Sequence, residues 1–134
     1  MKTTKILATL LLLAPILGAQ DNEPKTAKTA AQQRQQCASY MLDQKDNPKQ
    51  TFEATVCYAY VRGVKDALDG APAWLDETHK HIVMGTWQDG VTADQAIRVF
   101  EQFANDNPAL LNKSAVQVIR QSAEQAGIYT YATP

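Results

Sequence analysis

Two cysteines, two histidines and a scatter of serines and carboxylates are the side chains in this 134-residue chain that could do chemistry. Cys37 and Cys57 are not spaced as C-x-x-C and have no histidine close in sequence, so they lack the local pattern of a redox centre or a metal knuckle. His79-x-His81 beside Asp76 and Glu77 is the one candidate metal cluster. Alternate histidines can share an ion from an extended strand, but on a helix their side chains diverge. No third or fourth ligand stands at a telling distance, and the pattern predicts neither a metal nor a cofactor. Ser39, Ser114 and Ser122 fall in helical stretches, with no histidine beside them and no G-x-S-x-G. A glycine-rich phosphate loop is absent as well. The residues describe a protein that is not an enzyme.

The elements around the cysteines say what that pair is for. Residues 52–68, FEATVCYAYVRGVKDAL, form an amphipathic helix whose apolar arc is wider than that of an ordinary surface helix. Phe52, Val56, Ala59, Tyr60, Gly63 and Ala67 fill one side of the arc; Cys57, Val61, Val64 and Leu68 fill the other. That width predicts a central helix packed on two sides, with a close helix crossing at Gly63. Upstream, a helix begins between residues 26 and 30 and ends before Pro48, which disfavours helical geometry in the residue preceding it. Asn47-Pro48 is then the turn of a helical hairpin, with Cys37 and Cys57 each ten residues from Asn47. An exported chain with an even cysteine count oxidises such a pair. Closing that loop contributes roughly 3 kcal/mol by the chain-entropy estimate.

Export follows from the N-terminus. Lys2 and Lys5 precede an almost wholly apolar run over residues 6–17, and Gly18-Ala19 supplies small residues before a polar stretch. This is the layout of a signal peptide over residues 1–19, and its apolar run is too short to span a bilayer. Residues 20–30 read as a flexible leader and residues 31–134 as one helical domain. Without Lys2 and Lys5, 11 basic residues face 14 acidic ones. That balance and the lack of basic clusters exclude nucleic acid, and no charged run suggests a membrane surface once the signal is removed.

Downstream, helix signals are clear. Thr92-x-x-Gln95 has the form of a capping box, and Val91 is placed to staple against Ala96. Residues 93–105 follow as an amphipathic helix. Asn107 with Pro108 predicts the start of a last helix, lined by Leu111, Ala115, Val118, Ile119, Ser122 and Ala126 and stopped at Gly127. Tyr129 and Tyr131 in the tail are placed to fold back over the core. Between the two hairpins, residues 69–90 are irregular, with a short helix expected over 73–83. This excursion holds both tryptophans and both histidines. Trp74 and Trp87, rimmed by Asp76, Glu77, His79 and Lys80, have the composition of a protein-binding hot spot. The fold class is thus all-α: four main helices and one irregular excursion, stapled by a disulfide.

The stretch Cys57-Tyr-Ala-Tyr-Val-Arg-Gly63-Val-Lys-Asp66 resembles the C-x-x-Y-x-x-G-x-x-D helix of the Rap/Tai-type immunity proteins against type VI secretion amidase effectors. Gly90-Val91-Thr92-x-x-Gln95, then Asn107-Pro108 followed by Ala115, Val118 and Ala123, resembles that family's later half. The resemblance runs from Cys37 to Ala126. Two departures stand out: Thr86-Trp87-Gln88-Asp89 replaces the family's usual Cys-Pro before the G-V-T turn, and Gly127-Ile-Tyr-Thr-Tyr replaces a W-P-C-like tail. The resemblance implies a helical, commonly dimeric periplasmic protein that occludes the cleft of a peptidoglycan-cutting amidase. A second function class with the same export, size and disulfide is the periplasmic acid-stress chaperone, or another non-catalytic periplasmic binder. Suppression of aggregation at acid pH separates it from the first.

One outcome follows from the cysteines alone. Protein recovered from an oxidising compartment, denatured without reductant, should give no reaction with a thiol reagent; two reactive thiols per chain would overturn the hairpin register.

Overall fold

The computed structural model describes residues 27–43, 46–75 and 82–132. Four α-helices run through them: α1 (Ala30–Tyr40), α2 (Pro48–Leu68), α3 (Ala93–Asp106) and α4 (Ala115–Gln125). Three short strands, β1 (Pro72–Leu75), β2 (Ile82–Trp87) and β3 (Tyr129–Ala132), make an antiparallel sheet in the order β1-β2-β3. The described residues are therefore mostly helical but not purely so, a correction to the all-α expectation. Of the helix expected over residues 73–83, residues 73–75 and 82–83 are strand instead, and residues 76–81 lie outside the described residues.

The sheet forms because residues 82–87 alternate as a strand does: Val83, Gly85 and Trp87 are buried, Met84 half-buried and Thr86 exposed. The partner that satisfies the outer edge of β2 comes from the tail, with Gly85 opposite Tyr131 and Trp87 opposite Tyr129. Gly85 is also required sterically. A Cβ there would lie 1.7 Å from the Tyr129 hydroxyl, which crosses the strand to donate to the Leu68 carbonyl at 2.9 Å.

The α1–α2 hairpin is built as the spacing predicts. Cys37 and Cys57 are joined, with a Cα–Cα distance of 5.0 Å, and no cysteine is free. Asn47 caps α2, its side chain accepting from the Gln50 N–H, and Pro48 takes the first helical position. Thr92 caps α3 through the Gln95 N–H. Val61, Ile97, Phe100, Val118 and Ile119 are fully buried between the helices.

Three expectations are corrected. Asn107 does not start α4; its side-chain N–H donates at 2.8 Å to the Phe103 carbonyl and closes the end of α3. Only a single 3-10 turn, Pro108–Leu110, follows. The chain cannot continue helically there because α1 uses the next carbonyls: Ala31 N–H donates to Leu111 and Ala30 N–H to Lys113. These are the donors that a helix start leaves without intrahelical partners. The Ala115 N–H returns a bond to the Lys28 carbonyl. Residues 28–30, placed in the leader by sequence, thus belong to the fold.

The second correction concerns α2. Cys57, Val61 and Val64 turn into the core, but most of the other half of its apolar arc does not: Phe52, Ala59, Gly63 and Ala67 are exposed and Val56 is half-buried, while Tyr60, also half-buried, packs against the edge of the core. The third concerns Gly63, which meets no helix; nothing lies within 4 Å of where its Cβ would be.

Gly85→Ala should destabilise the chain by about 1–3 kcal/mol, the usual cost of overpacking a filled site. Thermal melting of Gly85→Ala beside Gly63→Ala checks this, since Ala at the open Gly63 position should raise stability by up to about 1 kcal/mol.

Candidate functional site

The hairpin that sequence marks for binding is held from below. Trp87 is its anchor: only 6% exposed, it donates its indole N–H to the Lys65 carbonyl at 3.0 Å and packs against Tyr129 with ring centroids 5.0 Å apart. The Lys65 ammonium lies 5.5 Å from the same ring. Trp87 therefore belongs to the core and is not an exposed contact residue. Trp74 stands in β1 opposite Val83. Asp76, Glu77, His79 and Lys80 lie outside the described residues, as does His81. What the structure adds is the frame on either side of them: β1 and β2 belong to a sheet tied to α2 and its C-terminal end through Trp87, Tyr129 and the Gly70 N–H, which donates to the Gly85 carbonyl.

Two polar links join α1 to α3. Near one end, the Tyr40 hydroxyl donates to Asp94 at 2.9 Å, and Arg98 Nε donates to the other oxygen of Asp94 at 3.0 Å. Those bonds, Arg98 first and Tyr40 second, hold the Asp94 carboxyl below the usual carboxylate range. Near the other end, Arg34 donates to Asn105 at 3.1 Å and stands 3.6 Å from Glu101. Burial dominates there and pushes the Glu101 carboxyl up, with Arg34 only partly offsetting it. The second oxygen of Glu101 is buried without a hydrogen bond.

Between α3 and α4 lies an open groove of about 360 Å³. Val99, Phe103 and Ala126 give it an apolar floor; Arg98, Gln102 and Asp106 stand on its rim. Among the described residues no three His, Cys, Asp or Glu side chains gather as a metal would need. What this arrangement offers is shape and surface: a cross-linked helical frame with a three-stranded sheet packed on it and shallow grooves between helices.

Fold and surfaces together define a small, mostly helical domain stapled by a disulfide. Its sequence matches the Rap1a immunity proteins over residues 29–126, from the cap of α1 to the end of α4, and the chain belongs to that family. No curated protein and no solved structure gives a significant match to the chain.

The start of α1 also carries its own sequence signal. Thr29-x-x-Gln32 is a reciprocal capping box, both of its hydrogen bonds formed, and it fixes the start of α1 at Ala30.

The two carboxylates should respond to acid in opposite senses. The folded-state pKa of Asp94 is depressed, so its stabilisation is present above the unfolded value and is lost as pH falls through the folded one. That of Glu101 is raised, so the folded state takes the proton first and gains stability as pH falls through the folded value. Glu101→Gln should therefore melt higher than the parent near pH 7, and the gap should close by about pH 4. Melting curves at both pH values check this; a variant less stable than the parent at neutral pH would show that the Arg34 pairing outweighs burial.

Proposed function

We propose that this chain is the periplasmic antidote to a peptidoglycan amidase delivered by a type VI secretion system, and that it works by binding. The observation that carries the reading is the family match, which spans all four helices. The N-terminal pattern of residues 1–19 supports export, and such an amidase meets its substrate outside the cytoplasm. The frame described above suits an inhibitor, because a rigid binder loses little conformational entropy on association. The charged loop with Asp76, Glu77, His79 and Lys80 is the proposed insertion into the partner's cleft. Trp87 contributes by holding that loop's base.

The test is protection in cells. An exported amidase, encoded next to this chain's gene, should lyse cells that lack the chain and spare those that express all 134 residues. A version starting at residue 20 should be made in the cytoplasm and fail to protect. Equal protection by both versions would overturn the compartment, and no protection by the full chain would overturn the antidote role.

A further inference from the structure

Apart from Tyr60, which packs against the edge of the core, the outward half of α2 is a surface that no other described element covers. Phe52 is 69% exposed, the most exposed large apolar side chain among the described residues. Val56, Ala59, Tyr60 and Gly63 continue its line at helical spacing. Gly63 costs α2 about 1 kcal/mol relative to alanine, yet no neighbouring element comes close enough to need the space. A flat notch therefore stands in the middle of the strip, open to whatever approaches from outside.

Next to Phe52, the glutamines of α1 (Gln32, Gln35 and Gln36) line a groove of about 480 Å³ together with Lys28, Lys49 and Glu53. The two lysines differ. Lys49 lies 3.8 Å from Glu53, which also accepts from the Ser39 hydroxyl at 2.7 Å. Lys28 has no carboxylate partner among the described residues; its ammonium donates to the Gln36 side chain and lies 4.5 Å from the centre of the Tyr60 ring. Partial burial lowers its pKa, the mark of a cation that has lost water without gaining an anion. The N-terminus of α2, beside Phe52, adds the positive end of a 21-residue helix.

We propose that the α1–α2 groove is a docking site for an extended acidic segment of the effector, with a carboxylate on Lys28 and an apolar side chain on Phe52. The glutamine wall supplies donors and acceptors for the main chain of such a segment. A second copy of this chain fits less well. A two-fold interface centred here would bring the same patch against itself, and Lys28, the lysine without a carboxylate partner among the described residues, would face its own duplicate. The proposal rests on the antidote reading and adds to it a contact surface separate from the hairpin, on the N-terminal part of α2 rather than beyond its C-terminus.

The probe is the exported amidase against which the full chain protects, titrated calorimetrically at low and high salt. Phe52→Glu should weaken binding at least about thirtyfold, as loss of a central anchor does. Lys28→Glu should weaken it at least about tenfold and flatten its salt dependence, whereas Lys28→Arg should bind as the parent does. Gln95→Glu, on an exposed residue of α3 that does not line the groove, is the control and should change nothing. Melting curves of all variants should overlay that of the parent, since Phe52 carries little of the core.

Parental affinity in both Phe52→Glu and Lys28→Glu would overturn the proposal. So would a Phe52→Glu variant that changes a dimer to a monomer in light scattering while keeping full affinity for the amidase, because the strip would then belong to a second copy. If the parent chain binds no amidase, the antidote reading fails and the groove proposal falls with it. That outcome is read on the parent before any variant is made, so the two failures stay distinct.

Discussion

The bond between Cys37 and Cys57 fixes the rotation of α2, and most of the structure follows from that rotation. With Cys57 pinned toward α1, Val61 and Val64 must enter the core, being four and seven residues further along the helix. By the same geometry Phe52, Ala59 and Gly63 must face out. Core and exposed strip are two results of one constraint. The bond is needed all the more because α1 has little apolar surface of its own: its inward side consists of Ala30, Gln33, Cys37 and Ser39.

A helix so poor in apolar residues persists through polar and covalent contacts. The capping box at Thr29 serves its first turn, and carbonyls from the segment before α4 accept its first free N–H groups. Its last turn is tied to α3 by Tyr40 and Asp94, and its middle by Arg34 to Asn105 and Glu101. Gln33, fully buried, places its amide 3.1 Å from the Cys37 sulfur and leaves its own oxygen without a partner. Burying polar groups costs energy unless they are paired, so α1 is the place where this fold spends most on being held together.

What could be read from the sequence was what neighbouring residues decide. The caps at Asn47 and Thr92, the cysteine pairing, the amphipathic α3 and the stop at Gly127, with φ of +70°, all depend on a few adjacent positions. The sheet was hidden because β2 meets a partner more than forty residues away, and four tail residues carry no strand signal alone. The start of α4 was misplaced for the same reason, since the carbonyls that would extend it serve α1 instead. An apolar arc on α2 could not show that only half of it finds a partner. For the site, composition singled out the hairpin, but it could not separate Trp87, a core residue, from a surface aromatic. The α1–α2 groove escaped notice because its parts, Lys28, the glutamines and Phe52, are unremarkable until two helices bring them together.

The antiparallel bridge between Thr29 and Ser114 bears on how the chain reaches this structure. It closes a loop of roughly 85 residues, so the start of α1 cannot be completed until most of the chain is present. β2 waits longer still, because its outer edge is paired only by the last strand. Contacts of such long range slow folding and leave an incomplete chain without a stable intermediate of native form. A ribosome releasing this polypeptide from its N-terminus can thus leave the α1–α2 hairpin to pair early, while the Thr29–Ser114 bridge and the sheet wait for the later residues.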